Sequence, residues 1–452
     1  MAQAVSCLHC IWMLDLVLAA FENRSLLSRK TNIRNSLDTM RSDNNALVQL
    51  VSFAFQWLRQ QRQRLKRSSD TGIGGMVRPH GNSCTSVIKR LDKYELSNIV
   101  PQRTLCNLMN STRVLILAGG RSDEHDVSIT SARSLLAATE KAPHLEATVV
   151  VVTREGRWRS AGDSQKALVA GTACHGGEPM LQGANVGTDY DVVFPLMHGP
   201  FGEDGTVQGM LELAGVPYVG CGVLASAVCM DKIMTKEILR ANDIPQVRYV
   251  SLTREAYKTD PAAIITAARK LSAPWFVKPA NLGSSVGVSK ATDPSQLDAA
   301  IREALKFDRR AIIEEGVPNV RELEVAILGN ESPKASPVGE ISHDADFYDY
   351  ETKYTAGKAQ LHIPTDAPAC VCKQIQEIAI RAYQLLDCAG FARVDFFYQP
   401  ETGRVFLNEL NTIPGFTPFS MFPRLWEAGG IPYGQLVEHL VKLAQDRHKE
   451  RR

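Results

Sequence analysis

The sequence has no apolar run long enough to cross a lipid bilayer. The most apolar stretch near its start, residues 11–21, is too short to span one and contains Asp15. No Lys or Arg precedes this stretch, which disfavours a secretory signal peptide. Aromatic residues make up 7% of the chain and charged residues 22%, against 44% hydrophobic residues, a balance typical of globular proteins. We therefore expect a cytoplasmic protein with no membrane partner.

Two common nucleotide-binding fingerprints are also missing. The first glycine-rich turn, at residues 119–128, is not G-x-G-x-x-G, which disfavours a dehydrogenase. The later loop at 279–287 does not have P-loop spacing. Cys7 and Cys10 have C-x-x-C spacing, but no second pair stands at zinc-ligand distance. The ten cysteines are dispersed along the chain, and we interpret them as reduced, structural thiols.

The charge of the chain changes near Met109. Residues 1–108 contain 15 Lys and Arg against 7 Asp and Glu, whereas the remainder contains 36 against 42. A helix is predicted at 46–58, and the basic run 59–67 continues it. This run is more typical of a solvated helix face or tail than of a nucleic-acid arm. A further hypothesis is that translation starts at Met109, so that residues 1–108 are dispensable or are absent from the native protein.

The residues from 112 onward predict an α/β domain. Residues 113–118 have the apolar character of a buried strand, and a helical pattern starts near Ser128, a candidate N-cap. Glu124 lies just before this helix, where an acidic residue also suits the helix dipole. Further strands are predicted at 147–152 and 191–197. This alternation of strand and helix indicates an open α/β sheet.

His198 follows the predicted strand 191–197 and opens a loop with three glycines. Ligands in α/β folds bind at the carboxyl ends of strands, so His198 is a candidate site residue, although a single histidine is more often structural. The next helix has apolar residues at 207, 210, 211 and 214, the spacing of one buried face. A new helix at 231–239 places a domain boundary near 231.

A loop of small residues, 279–287, follows a predicted strand at 275–278 and leads into another at 286–290. Its backbone N–H groups can surround phosphate oxygens, and Lys278 would reach them as a point charge. A plain Gly-Ser hairpin is the alternative for this segment taken alone. Strands are also predicted at 310–315 and 322–328.

The stretch 344–358 is polar, rich in aromatic residues and without helical or strand periodicity, which is typical of a lid. A helix is predicted at 373–387, because its apolar residues share one face. A turn-rich loop at 414–421 and a final helix at about 432–446 complete the chain.

The segment 393–411 organises the rest of the chain, because it predicts a hairpin with a polar face. Its strands are 393–398 and 404–411, and its chemically important side chains are Arg393, Asp395, Glu409 and Asn411. Strand side chains alternate between faces, so each strand places its pair on one face. If the faces align, the oxygen ligands suit Mg²⁺ and the guanidinium suits a developing oxyanion. A solvent-facing hairpin with scattered charges is the alternative.

Six stretches of the chain occur in one particular order. They are GGRSDEHDVS (119–128), LMHGPFGEDGT (196–206), VKPANLGSSVG (277–287), YDYETKY (348–354), FARVDFF (391–397) and NELNTIPGFTPFSM (408–421). Together they resemble the D-alanine–D-alanine ligase family of the ATP-grasp superfamily. The resemblance implies ATP-dependent ligation of two D-alanine molecules to D-alanyl-D-alanine through a D-alanyl phosphate, for peptidoglycan precursor synthesis.

The resemblance also implies ATP and two Mg²⁺ or Mn²⁺ ions as cofactors. The implied metal ligands, with Glu409 bridging the two ions, are Asp395, Glu409 and Asn411. The residues implied to contact the ATP phosphates, or to lie in the loop over them, are Lys232, Lys278, Ser284 and Ser285. The residues implied to hold the adenine and the ribose are Glu314 and Val317 for the adenine and Glu322 for the ribose.

The remaining implied roles concern the substrates. Glu124 would anchor the ammonium of the first D-alanine, with His198 close by. Arg393 and the N–H of Gly415 would form the oxyanion hole. The carboxylate of the second D-alanine would bind Ser420 and the N–H of Met421. Lys353 and Tyr354 would close over the site, with Tyr354 hydrogen-bonding to Ser284 and Glu124.

The implied fold combines α/β and α+β parts: an ATP-grasp fold preceded by a Rossmann-like pre-ATP-grasp domain, plus an N-terminal extension. The expected domains are 1–111, the extension; 112–231, the N-terminal α/β substrate domain; 232–321, the central ATP-grasp subdomain; and 322–446, the C-terminal ATP-grasp subdomain with the metal and substrate site. The family implies a homodimer. Asp126 departs from the family, which often has Glu there, and the extension has no recognised counterpart.

The alternative interpretations differ either in the product of the ligation or in the class of protein. Relatives that make D-alanyl-D-lactate or D-alanyl-D-serine differ at the lid and in the second pocket. Tyr354 and the apolar Met421 favour D-alanine, and Tyr354→Phe is expected to admit D-lactate. A non-catalytic nucleotide-binding protein, or an ATP-grasp scaffold whose 1–108 arm recruits nucleic acid, is disfavoured because all four polar residues of the hairpin are present. We therefore expect no nucleic-acid partner.

Overall fold

The computed structural model describes residues 111–142, 144–170, 178–179, 186–283, 286–343 and 359–450. All of them belong to the unit Ser111–Arg452. The predictions for 1–110 and for the lid at 344–358 therefore lie outside the described residues. No helix in the described ranges combines the length and the apolar character needed to cross a membrane.

The bounds of the elements are as follows. The strands are β1 Thr112–Gly119, β2 Leu145–Val152, β3 Arg157–Trp158, β4 Glu178–Pro179, β5 Val192–Pro195, β6 Tyr249–Thr253, β7 Trp275–Pro279, β8 Ser289–Ala291, β9 Arg310–Glu315, β10 Arg321–Leu328, β11 Lys334–Ala335, β12 Gly339–His343, β13 Ala359–His362, β14 Phe391–Gln399 and β15 Arg404–Asn411. The α-helices are α1 His125–Thr139, α2 Ala161–Ala170, α3 Val186–Asp189, α4 Thr206–Ala214, α5 Val223–Met230, α6 Lys232–Ala241, α7 Arg254–Thr259, α8 Pro261–Ala268, α9 Leu297–Phe307, α10 Ala369–Leu385, α11 Met421–Ala428 and α12 Tyr433–Glu450.

The first sheet has the strand order β4-β3-β2-β1-β5, and both β2 and β5 run parallel to β1. Strand β1 is apolar without alternation because both of its faces are covered. Ile116 belongs to one buried cluster, and the next residue, Leu117, belongs to another. The strands predicted at 113–118, 147–152 and 191–197 are confirmed, although β5 is shorter than predicted.

The prediction that Ser128 caps the helix after β1 is wrong. Helix α1 begins earlier, at His125, and Glu124 occupies the N-cap position. The Ser128 hydroxyl instead accepts a hydrogen bond from the Gly119 N–H at 2.7 Å and donates one to the carbonyl of Leu196. It therefore joins the end of β1 to the chain after β5, and this tertiary link takes the place of a cap.

The second sheet has the order β6-β9-β7-β8 and is antiparallel. Helix α9 packs on it, with one buried face. Helix α6 begins next to the predicted boundary, and the Asp231 carboxylate caps it by accepting from the N–H groups of Ile233 and Met234. Strand β8 starts later than predicted, because Gly287 has a φ of +70°, which continues the loop.

The third sheet has the order β13-β12-β10-β14-β15, and β11 pairs with β10. The predicted hairpin is confirmed as β14 and β15. Its register places Arg393 opposite Asn411 and Asp395 opposite Glu409. Because directly opposed residues share a face, the alignment that the sequence left open is present.

A β-bulge at Asn408 interrupts the hairpin on its site side. Phe396 pairs with Leu407 and Asp395 pairs with Glu409, so Asn408 is left without an opposite residue. Leu407 and Leu410 are three positions apart, which alternation alone would place on opposite faces, yet both reach the same buried cluster. The bulge thus lets β15 bury both leucines while Glu409 stays on the polar face.

A cluster of phenylalanines joins the first sheet to the hairpin. The ring of Phe391, at the start of β14, lies 6.3 Å from that of Phe194 on β5, 5.8 Å from Phe416 and 5.3 Å from Phe422. Phe422 belongs to α11, which begins at Met421, the last residue of the predicted turn-rich loop. This packing brings the loop after β5 beside the hairpin.

Candidate active site

A row of carboxylates crosses the middle of the third sheet. Asp395 on β14 stands opposite Glu409 on β15, and on its other side Glu324 of β10 stands opposite Asp395. Glu324 is only 5% exposed. Like charges directly opposite one another destabilise a sheet, so this row requires cations close to it.

Arg393 is the cation within this row. Its Nε lies 2.7 Å from Asp395 Oδ1 and its Nη2 lies 2.7 Å from Asp395 Oδ2, a bidentate pair. The same Nε lies 2.9 Å from Glu324 Oε2. Burial alone would lower the pKa of Arg393, but Asp395 and Glu324 outweigh it and hold the pKa well above its ordinary value. Arg393 is therefore a permanent buried cation.

The donor set of the hairpin fits a hard divalent cation. Asp395, Glu409 and Asn411 offer carboxylate and amide oxygens on one face, the ligand types that Mg²⁺ takes together with water and phosphate oxygens. The Asn411 amide donates to Asp395 Oδ2 at 2.9 Å, which fixes the amide beside it. Among the described residues, no three or more His, Cys, Asp or Glu side chains are already arranged around a metal position. In this structure Arg393 takes both Asp395 oxygens.

Glu314 lies between two lysines at the end of the second sheet. Its Oε1 is 2.8 Å from Lys236 Nζ and its Oε2 is 2.7 Å from Lys278 Nζ. Burial would raise the pKa of Glu314, but the two lysines outweigh it and lower the pKa from 4.5 to about 2. Burial alone would lower the pKa of Lys278, but Glu314 and other carboxylates raise it overall. This is a buried three-charge group beside the predicted phosphate loop.

Lys232 reaches the same loop from the first turn of α6. Its Nζ donates to the carbonyl of Leu282 at 2.5 Å, and its backbone N–H donates to Ala280 at 3.0 Å. Burial lowers the pKa of Lys232, and Glu409 is the strongest influence that opposes this. Lys232 therefore lies within electrostatic reach of the hairpin and of the loop.

Glu124 lies where three loops meet. A Cβ placed on Gly199 would lie 2.6 Å from Glu124 Oε2, and one placed on Gly283 would lie 3.2 Å from the same atom. Gly199 also has a φ of +71°. The two glycines therefore let backbone approach a carboxylate that is itself 8% exposed. This corner can receive a small ammonium group.

His198 ties this corner to the hairpin. Its Nδ1 donates to the carbonyl of Ile413 at 2.9 Å, and its Nε2 lies 3.3 Å from the Ser131 hydroxyl. Its own carbonyl accepts from the Ser122 hydroxyl at 2.6 Å. A carbonyl can only accept, so Nδ1 carries a proton. With both ring nitrogens engaged in these contacts, His198 acts as a brace beside Glu124.

The other predicted substrate residues lie at the start of α11. Ser420 is its N-cap residue and lies 2.9 Å, Oγ to Oγ1, from Thr417. A Cβ on Gly415 would lie 3.1 Å from Ser420 Oγ. Met421 is buried, and its sulfur lies 3.0 Å from the Cβ position of Gly339, the residue opposite Glu324 on β12. Gly415, Ser420 and Met421 therefore form one wall beside the carboxylate row.

The remaining predicted residues divide into two groups. Val317 is half-buried just after β9, and Glu322 lies near the start of β10, from where its charge raises the pKa of Lys278. Ser284, Ser285, Lys353 and Tyr354 lie outside the described residues. The roles of all these residues stay predictions.

Sequence reasoning missed Glu324 and Lys236. Both carried a signal: Glu324 alternates with Glu322 along a predicted strand, and Lys236 stands one helical turn after Lys232. Their partners, Arg393 and Glu314, are far away in the chain, so local pattern could not reveal either contact.

Two family models match the chain. One, described as "D-ala D-ala ligase N-terminus", matches residues 113–221, and one described as "D-ala D-ala ligase C-terminus" matches residues 238–442. A D-alanine–D-alanine ligase of Deinococcus radiodurans is 55% identical over 333 residues, which is 74% of this chain and 98% of that protein. One of Solibacter usitatus is 45% identical over 339 residues, which is 75% of this chain and 97% of that protein.

Solved structures of ligases are also similar to this chain. The D-alanine–D-alanine ligase of Coxiella burnetii is 35% identical with a TM-score of 0.62, over 76% of this chain and 96% of that one. A D-Ala:D-Ser ligase of Enterococcus faecalis is 32% identical with a TM-score of 0.64, over 74% of this chain and 99% of that one.

Proposed function

The chain belongs to the D-alanine–D-alanine ligase family, and we propose that it performs the family's reaction with the residues gathered around the β14–β15 hairpin. It is an ATP-dependent ligase with the ATP-grasp fold that joins two D-alanine molecules to D-alanyl-D-alanine for peptidoglycan synthesis. The observation that carries the residue assignment is the alignment of Arg393, Asp395, Glu409 and Asn411 on one face.

The chemistry requires activation of a poor electrophile. The carboxylate of the first D-alanine is phosphorylated, the amine of the second attacks the acyl phosphate, and phosphate leaves. We propose that Asp395, Glu409 and Asn411 hold two Mg²⁺ or Mn²⁺ ions, with Glu409 bridging. When bound, these ions offset charge on the phosphates of ATP.

The nucleotide would lie against the second sheet. Lys232 and Lys278 would contact the phosphates, and Ser284 and Ser285 would belong to the loop that covers them. The residues proposed to hold the nucleoside are Glu314 and Val317 for the adenine and Glu322 for the ribose. The buried ion pair between Glu314 and Lys278 supports the proposed phosphate contact of Lys278, because it holds that lysine beside the loop.

The two amino acids would lie on opposite sides of Arg393. Glu124, braced by the loop of His198, would bind the ammonium of the first D-alanine, since its carboxylate faces a corner lined by backbone. Ser420 and the Met421 N–H would bind the carboxylate of the second. Arg393 and the Gly415 N–H would then stabilise the tetrahedral intermediate.

We also retain the proposal that Lys353 and Tyr354 close over the reacting groups, with Tyr354 bonding to Ser284 and Glu124. The division of the chain into 1–111, 112–231, 232–321 and 322–446, with ATP between the last two, belongs to the same proposal. We also propose a cytoplasmic location, where ATP for the reaction is available.

A homodimer completes the proposal. Leu213 on α4 is 93% exposed and Leu224 on α5 is 62% exposed, and a second copy could bury such side chains. Sedimentation of the wild-type protein and of Leu213→Glu and Leu224→Glu variants tests this. A wild-type protein that sediments as a monomer would refute it.

The function is tested by ATP-dependent phosphate release from the full chain given D-alanine, D-serine or D-lactate, with the products identified by mass. We expect one phosphate per D-alanyl-D-alanine. Because one structural neighbour is a D-Ala:D-Ser ligase, D-serine is an informative competitor. A mixed product would overturn the assigned specificity, and ATP binding without phosphate release would overturn the catalytic assignment.

A further inference from the structure

Glu324 is a buried carboxylate that the proposed mechanism does not use. It lies on β10, which is paired on both sides, between Gly339 of β12 and Asp395 of β14. Its side chain is 7% exposed and its Oε2 lies 2.9 Å from Arg393 Nε. It therefore occupies a rigid position between the proposed metal ligands and the wall that contains Met421.

Arg393 and a divalent cation would compete for the same carboxylate. Both oxygens of Asp395 accept from Arg393 in this structure, yet the proposed function assigns Asp395 to a metal. Two cations on one carboxylate repel each other, so metal binding must weaken the pair between Arg393 and Asp395. A buried guanidinium left without a counter-charge is strongly unfavourable, so a second carboxylate has to hold it.

We propose that Glu324 is a positioning residue: when a divalent cation binds Asp395, the guanidinium of Arg393 pairs with Glu324 instead. This inference rests on the proposed function of the hairpin. Nε of Arg393 donates its hydrogen bond to Asp395 Oδ1 at 2.7 Å and also lies 2.9 Å from Glu324 Oε2, so the transfer needs no large movement.

The neighbouring side chains favour this transfer. Ala326 stands opposite Arg393 on β10, and its small side chain leaves room for the guanidinium to lean toward Glu324. On the other side of Glu324, the side chains nearest to Gly339 are those of Leu425, Met421 and Ile363. Through its contact with Arg393, Glu324 would keep the guanidinium directed toward the reacting carboxyl group.

The test is a double-mutant cycle read out by Mn²⁺ binding, which electron paramagnetic resonance measures without turnover. Glu324→Gln in the full chain is expected to raise the Mn²⁺ dissociation constant about tenfold, the loss of one charged hydrogen bond. In an Arg393→Gln background the same change is expected to alter the constant less than twofold, because no guanidinium remains to be held.

The outcomes separate this proposal from its rivals. An equal rise in the Mn²⁺ dissociation constant in the wild-type and Arg393→Gln backgrounds would mean that Glu324 attracts the metal directly. No rise in either background would mean that Glu324 neither holds Arg393 for metal binding nor attracts the metal. Both results overturn the proposal. Glu324→Asp, which keeps the charge but shortens the reach, is the second variant if Glu324→Gln does not fold, and it should show the same dependence on Arg393. Glu340→Gln, which removes a partner of Arg321 on the same sheet, is the control and should leave Mn²⁺ binding unchanged.

Turnover provides an independent check. At saturating Mg²⁺, kcat of Glu324→Gln should fall while KM for ATP stays within about twofold, because Arg393 acts on the intermediate and not on the nucleotide. Phosphate release by the wild-type protein with D-alanine tests the proposed function by itself. Failure of that reaction therefore remains distinguishable from failure of the role of Glu324.

Discussion

Replacement of Glu314 by Gln tests the buried charge group beside the phosphate loop. The carboxylate lies 2.8 Å from Lys236 Nζ and 2.7 Å from Lys278 Nζ, and its side chain is 4% exposed. Without it, two buried ammonium groups lose their shared counter-charge. We therefore expect Glu314→Gln to lower the free energy of unfolding far more than a surface charge removal does.

The magnitude follows from the pKa of Glu314. A fall from 4.5 to about 2 on folding corresponds to about 3 kcal/mol of stabilisation at neutral pH. Because the pKa is lower in the folded state, this stabilisation is fully present above the unfolded pKa of 4.5 and is lost as the pH falls toward 2. The difference between wild type and Glu314→Gln should therefore be largest at pH 7 and shrink below pH 4.5.

Urea unfolding followed by tryptophan fluorescence measures this difference. Glu315→Gln is the matched control: it is the next residue, but its partner Arg248 is 59% exposed, so its removal should cost less than about 1 kcal/mol. Adding Lys236→Met to Glu314→Gln should restore part of the loss, because one unpaired cation is removed. A Glu314→Gln variant within about 1 kcal/mol of wild type at pH 7, or a difference that grows in acid, would refute the reasoning.

Three further changes test other parts of the structure. Gly202→Ala would place Cβ 1.9 Å from the Met197 carbonyl oxygen and should lower stability by about 3 kcal/mol or more, whereas Gly209→Ala, in open space on α4, should be neutral or stabilising in the same urea assay. His198→Gln should lower kcat/KM for D-alanine about tenfold by loosening the corner of Glu124, and unchanged initial rates would contradict this. Phe391→Leu should cost about 2 kcal/mol by breaking its three ring contacts, and urea unfolding at wild-type midpoint would contradict it.

The sequence predicted the hairpin well because alternation is a local property. The faces of Arg393 with Asp395 and of Glu409 with Asn411 follow from period two, and the observed register aligns them. The bulge at Asn408 left a trace that was overlooked: the buried residues of β15 change spacing from two to three there. A change from spacing two to spacing three among the apolar residues of a strand therefore indicates a β-bulge.

Contacts between distant parts of the chain could not be predicted in the same way. Ser128 has the composition of a helix cap, but tertiary hydrogen bonds use its hydroxyl. The ion pair between Glu314 and Lys236 joins strand β9 to helix α6, and the local sequence pattern of neither element predicts a contact with the other. Helix α11 was not predicted, because it directly follows several turn residues, and its burial against Phe391 and neighbouring residues stabilises it.

The hydrogen bond between His198 and Ile413 also bears on how the protein acquires its activity. It joins residues 215 positions apart, and closing a chain segment of that length costs about 5 kcal/mol of entropy. The packing of Phe194 on Phe391 spans almost the same segment. The corner around Glu124 is therefore completed by residues that a ribosome, at its usual pace, adds roughly 10–40 seconds after His198. A nascent chain that stops before Ile413 has no finished site, so binding competence arises only at the end of synthesis and late in folding.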